Sequence, residues 1–206
     1  MKNQKFTWKT LLGLALGIIV YNILKNTVFN FPFQGVDNQK LIDKDWVTIT
    51  YGKPSISLST PERLNSFDIG IPKDAVDIID KMESFSYSNG EKLAILANIV
   101  VYNSNAGVAN AEGAAEGSIK EMKNKSGVSN FIYQNKNIVV DSSNGIRQDG
   151  SFYSNNSKFI FSNVLLAKEN VLWQITIINK NDDNSATQIK EKIIQSIKLD
   201  KSLDYQ

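Results

Sequence analysis

From Thr10 to Leu24 the chain carries no charged residue, and Lys9 and Lys25 close this stretch at its two ends. Such a run is either placed in a bilayer or removed on export, so it separates the chain into parts with different solvents. Its uninterrupted apolar portion, Leu11 to Tyr21, fits the h-region of a signal peptide, which spans about 7–15 residues. Counted from Trp8 to Leu24 it reaches the lower end of a spanning helix, roughly 17–25 residues. The next residues, Asn22 to Phe29, offer no pair of small residues for cleavage. Trp8 and Tyr21 sit near the two ends, where aromatic rings favour the membrane interface. The segment therefore reads as an uncleaved signal anchor. Lys2, Lys5 and Lys9 place the N-terminus in the cytoplasm, and the chain beyond the span lies outside it.

The division that results is a basic cytoplasmic N-terminus over 1–9, a single transmembrane helix over 10–25 and a linker over 26–45. An extracytoplasmic domain over 46–199 and a tail over 200–206 complete it, which describes a single-pass membrane protein of the bacterial envelope. Phe29, Phe31 and Phe33 are placed to rest on the outer leaflet. Inside the span, Gly13 and Gly17 have the small-xxx-small spacing that lets two helices approach, and they form a candidate anchor-helix contact. Glycines are also simply common in membrane helices, which is the commoner explanation of the pair.

Two absences narrow the chemistry. The sequence has no cysteine and no histidine. That excludes disulfides, thiolate metal sites, iron–sulfur clusters, cysteine nucleophiles, imidazole ligands and His-based triads. The first 35 residues carry four lysines and no acid, which leaves 23 − 4 = 19 basic and 21 acidic residues in the rest, a formal charge of −2. A near-neutral domain with mixed signs lacks the electrostatic footprint of a nucleic-acid binder.

From Trp46 onward the pattern is that of strands and two helices. Trp46–Tyr51 and Ile56–Ser59 are strand-like and are separated by the turn Gly52-Lys53-Pro54. Residues 74–82 have the spacing of a short helix carrying Val76, Ile79 and Met82. Phe85 to Tyr102 reads as a hairpin with Asn89-Gly90 at its turn. Its second run, Leu93–Tyr102, is almost continuously apolar, as in a strand covered on both faces. Residues 106–125 predict a helix with Val108, Ala111, Ala115, Ile119 and Met122 on its buried stripe. Phe131–Asn135 and Asn137–Ser142 read as two strands about a turn at Lys136. Gly145–Ser154, Lys158–Ala167 and Val171–Ile178 come next as strands. Ser185 to Gln188 fits a capping box, and Ala186, Ile189, Ile193 and Ile197 form the stripe of a last helix. Short turns between strands require antiparallel pairing. The fold class is thus α+β, a twisted antiparallel sheet with amphipathic helices packed on it.

Three stretches carry a family resemblance. They are Ile56-Ser57-Leu58-Ser59-Thr60-Pro61, the mid-chain helix leading into a strand meander, and Trp173-Gln174-Ile175-Thr176-Ile177 running through an Asp-rich loop to Ile193-Ile194-Gln195-Ser196-Ile197. In these the chain resembles the PsbP-like sandwich, shared by photosystem subunits, a Ran-binding nuclear protein and many bacterial envelope proteins. The resemblance implies a non-enzymatic binding or assembly role, as in several members, and specifies no ligand.

Catalytic constellations are sparse. Asp182-Asp183, and the set Asp141, Asn144, Asp149 and Gly150, lack the spacing of a calcium loop, and Asp183 reads better as a helix cap. Glu112 with Glu116, and Asp77 with Asp80, read as solvated acids rather than a hydrolytic pair. No phosphate loop or nucleophile elbow is present. The expectation is a non-enzymatic, cofactor-free module that binds another envelope protein, with a small-molecule or lipid site and a carboxylate hydrolase as alternatives. Phe152 and Tyr153 are adjacent in one strand, so one of them faces away from the core. They mark the candidate partner surface.

Overall fold

The computed structural model describes residues 36–199, except 72, 91, 105, 155 and 182. The anchor segment with Gly13 and Gly17, the tail over 200–206 and Asp182 lie outside these residues. Among the described residues no helix is long and apolar enough to cross a membrane.

The described residues form ten strands and three helices. Helix α1 (Asn38–Ile42) precedes β1 (Val47–Tyr51), β2 (Ile56–Thr60), β3 (Asn65–Phe67), β4 (Ile79–Asn89) and β5 (Leu93–Tyr102). Helix α2 (Ala111–Asn124) leads into β6 (Val128–Val140), β7 (Ser143–Ser154), β8 (Ser157–Lys168) and β9 (Val171–Lys180). Helix α3 (Asn184–Ser196) and β10 (Lys198–Leu199) close the fold. Seven strands form one sheet in the order β3-β4-β5-β9-β8-β7-β6, and three form a second, β1-β2-β10. Every pairing is antiparallel.

The large sheet is covered on both faces. On one, α3 and the small sheet bury Ile189, Ile193, Ile56 and Leu58 against Ile95, Ile99, Trp173 and Ile175. The Trp173 indole N–H donates to the Pro54 carbonyl at 3.1 Å, so this strand is fixed to the turn between β1 and β2 by its polar handle as well as its bulk. On the other face, α2 lies over β6, β7 and β8. It buries Ala114 and Ala115 against Ile146, Leu165 and Leu172, and Ile119 and Met122 against Phe152, Phe159 and Phe161.

A row of buried polar side chains crosses the sheet under α2. Asn163 donates to Ser118 Oγ at 3.0 Å and to Gln148 Oε1 at 2.9 Å. It accepts from Gln174 Nε2 at 3.1 Å and Thr176 Oγ1 at 2.9 Å. Gln148 Nε2 in turn donates to the Ala115 carbonyl at 3.2 Å. These bonds fix the position of α2, which its small residues alone would leave free to slide. The row continues to Asn98, whose Cα partners in register are Gln174 on one side and Ser84 on the other. There Ser84 Oγ, both amide atoms of Asn98 and Gln174 Oε1 have no hydrogen-bond partner among the described residues.

Several expectations are corrected. Residues 74–82 are not a helix: a single 3-10 turn covers Lys73–Ala75, and Ile79 and Met82 lie in β4 opposite Tyr102 and Val100. Cross-strand pairing overrides the helical spacing there. The middle helix begins at Ala111 rather than 106, because the Asn110 side chain caps it by accepting from the N–H groups of Glu112 and Gly113. Val108 therefore falls outside the helix and is 73% exposed instead of buried. No turn forms at Lys136. It pairs with Arg147 inside one continuous strand, β6, and the chain reverses at Asp141 and Ser142, both at positive φ. The last helix is capped by Asp183, whose carboxylate accepts from Ala186 N–H at 2.9 Å, and not by Ser185. The polar stretch read as linker contains α1, which is docked onto α3. Asn38 Nδ2 donates to Asp183 Oδ2 at 2.6 Å, and Asn89 Nδ2 donates to Asn38 Oδ1 at 2.6 Å and to the Val36 carbonyl at 2.8 Å.

Candidate functional site

Strand β6 ends the large sheet, and most of its residues are exposed. From Ile132 to Val140 it keeps unbroken register with β7. Tyr133, Asn135, Asn137 and Val139 stand over the same face as their partners Gly150, Gln148, Ile146 and Asn144, which is the α2 face. Ile132, Gln134, Lys136, Ile138 and Val140 take the other. Ahead of this stretch the register shifts between Ser129 and Ile132, with Asn130 at φ +48°. The bulge turns Phe131 inward onto Phe152 and Phe161, with ring centroids 6.0 and 5.4 Å apart. Gly150 makes this possible: a Cβ at that position would overlap the Ile132 carbonyl and come within 2.6 Å of the Phe161 ring.

At the C-terminal end of β6, a cavity of about 630 Å³ opens between the strand and the start of α2. Val108, Ala109, Ile146, Ala167 and Val139 give it an apolar lining, with Asn110 and Glu112 at the helix end. Its size is within the range of small-molecule sites, about 300–1,000 Å³. Three apolar side chains along β6 are open to solvent: Ile132 at 65%, Tyr133 at 49% and Val139 at 69% exposed.

The nominated pair separates as strand alternation requires. Phe152 is 1% exposed and stacks on Phe159 at 5.6 Å, whereas Tyr153 is 37% exposed. Tyr153 pairs with Ser129 of β6 and stands on the face opposite to Phe152 and the cavity. The structure therefore does not bring Phe152 and Tyr153 to one surface. The cavity and the β6 edge escaped the sequence reading, because the supposed turn at Lys136 broke the strand in two. The clustering of Ile132, Tyr133, Ile138 and Val139 around one lysine is the signal that marks them.

The acids are scattered. Glu112 and Glu116 are exposed on α2, and Asp77 and Asp80 are exposed before and within β4. Asp149 is bonded to Arg147 and to the Ser162 hydroxyl, and Asp141 accepts from Leu199 N–H at 2.8 Å. Glu191 is held below the ordinary carboxylate range by its hydrogen bonds from Arg147, the opposite of what a general acid needs. Among the described residues no cluster of acids is arranged to hold a metal ion.

No protein-family model and no curated protein matches the chain. Solved structures do. The extracellular domain of PknH from Mycobacterium tuberculosis aligns over 77% of this chain and 88% of that one, at 12% identity and a TM-score of 0.35. LpqN, involved in cell envelope biogenesis of Mycobacterium tuberculosis, aligns over 82% of this chain and 99% of that one, at 10% identity and a TM-score of 0.45. Cyanobacterial PsbP (CyanoP) from Synechocystis sp. PCC 6803 aligns over 75% of this chain and 92% of that one, at 10% identity and a TM-score of 0.51. At such identity the likeness concerns the fold alone, and by that measure the chain is similar to the PsbP-like sandwich that its tryptophan strand and closing helix suggest.

Proposed function

We propose that this chain is a membrane-anchored, extracytoplasmic binding module without catalytic activity, which engages another protein of the envelope through β6 and the cavity beside it. The observation that carries this is the exposure of Tyr133 and Val139 on the α2 face of one edge strand that ends at an apolar cavity, with Ile132 exposed on the strand's other face. Apolar side chains exposed singly are ordinary, but a series of them along one strand marks an interaction surface. The anchor over residues 10–25 fits this role by holding the domain on the outer side of the membrane.

Crosslinking in the native membrane, with recovery of the full chain, tests the proposal. A partner recovered with the native chain and lost with Val139→Asp supports it. Recovery of nothing beyond the chain itself argues for the alternative, in which the cavity takes a small apolar molecule. Solvent extraction and mass spectrometry of the purified chain would then show a bound lipid or metabolite.

A further inference from the structure

We infer that the outer edge of β6 receives an extended segment of another protein, one that carries an acidic residue facing Lys136 and an apolar side chain that enters the cavity beside Val139. This inference rests on the binding-module reading and names the chemistry of the partner.

The backbone groups along a sheet edge need partners, and natural edges are commonly kept short, bent or charged. The other sheet ends obey that rule, with three residues in β3, five in β1 and two in β10. β6 is the exception at thirteen residues. It contains no proline, and its bulge is confined to the first residues. Beyond the bulge Lys136 is its one charge. A strand of this length and regularity is built to be extended by another strand.

Charge decides what kind of strand. Lys136 stands beside Arg147 on one face, two cations in register. Arg147 is matched by Asp149 and Glu191, while Lys136 makes no ion pair among the described residues. A second copy of this chain, pairing symmetrically about the middle of the regular stretch Ile132–Val140, would bring two Lys136 side chains together, and like charges across a strand pair are unfavourable. An acidic residue on the incoming strand satisfies Lys136 instead. The cavity supplies the second point of recognition. Val139 is three residues from Lys136, so the two lie on opposite faces of the strand. The incoming segment must therefore carry its acid and its apolar anchor three positions apart, pointing to opposite sides.

The test is selection of random peptides of about ten residues, the length of a long strand, against the full chain held in lipid nanodiscs. Lys136 and Val139 are both exposed, so Lys136→Glu and Val139→Asp leave the core intact. Selected peptides are expected to show the acid-to-apolar spacing and to bind Lys136→Glu about tenfold more weakly. Selection on Lys136→Glu should return a basic residue at the same position. Methylating alternate amides of a selected peptide should abolish binding in one phase and spare it in the other, because only every second residue of a strand faces its neighbour. Peptides indifferent to both substitutions, or to the phase of methylation, would overturn the inference. So would a concentration-dependent dimer of the chain that Val139→Asp dissolves, which would make a second copy the occupant. If the crosslinked envelope partner is lost with Val139→Asp but kept by Lys136→Glu, the edge inference falls and the binding-module reading stands.

Discussion

Arg147 of β7 and Glu191 of α3 meet through two parallel hydrogen bonds, Nη1 to Oε2 at 3.0 Å and Nη2 to Oε1 at 2.7 Å. They join the closing helix to a strand near the far side of the sheet. The hydrogen bonds from Arg147 lower the Glu191 pKa below its ordinary 4.5, against the opposing effect of burial. A carboxylate with a depressed folded pKa adds stability that is fully present above the unfolded value and is lost as pH falls through the folded one. Urea titrations between neutral and acid pH should therefore show Glu191→Gln to be less stable than the native chain by roughly 1 kcal/mol at pH 7, a partly exposed pair being worth little more. The two curves should converge in acid. Parallel curves at every pH would show that the pair contributes nothing in solution.

Two asparagines in the buried polar row are predicted to behave differently. Asn163 has all its partners, so Asn163→Leu strands Gln148, Gln174 and Ser118 and should cost about 2–4 kcal/mol. Asn98 has none among the described residues, so Asn98→Leu removes a buried donor and acceptor that nothing satisfies. It should be neutral or stabilising by about 1 kcal/mol. Denaturant melts of the two variants decide this. An equally large loss for Asn98→Leu would mean that ordered water or a ligand bonds to it in the folded protein.

Neighbours in one strand, Phe152 and Tyr153 should part in the same experiment. Phe152→Ala empties a site in the aromatic cluster and is expected to cost about 3–5 kcal/mol. Tyr153→Ala should change stability by less than about 0.5 kcal/mol. If Tyr153→Ala nonetheless reduces recovery of the crosslinked partner, the binding surface reaches round to the face opposite the cavity. Unchanged recovery limits it to β6 and the cavity rim.

Gly150→Ala tests the bulge. The added methyl meets the Ile132 carbonyl and the Phe161 ring, so a loss of about 1–3 kcal/mol is expected, with faster amide exchange in β6 and β7 around Phe131. A variant as stable as the native chain would show that β6 pairs with β7 without the bulge.

How far the sequence could be read depended on which interactions decided each element. The Leu93–Tyr102 strand, its hairpin with β4 reversing at Gly90 and the Ile189, Ile193, Ile197 stripe were legible because burial and local turn chemistry agree there. Lys136 misled because a lone charge flanked by asparagines looks like a turn. Pairing with Arg147 and the true reversal at Asp141-Ser142 are set by a neighbouring strand, not by local preference. The same cause hid the cavity, which needs both a continuous β6 and a helix starting as late as Ala111. Gln148, Asn163 and Gln174 looked like ordinary polar strand residues. Only the placing of Ser118 above them shows that they form one network.

The bonds that dock α1 have a consequence for reach. Asn38 is held by Asp183 and Asn89, so the folded body begins no later than Val36. With an anchor over 10–25 as proposed, only the ten residues 26–35 would separate it from the folded body, and not the twenty of a linker running to 45. Fully extended, ten residues cover at most about 33–36 Å. Under that proposal, a separation that short would confine the domain to a thin layer over the outer leaflet and raise its effective concentration toward anything lodged in the same membrane. A partner whose accessible strand stands far above the bilayer would be out of range, however well its sequence suited β6.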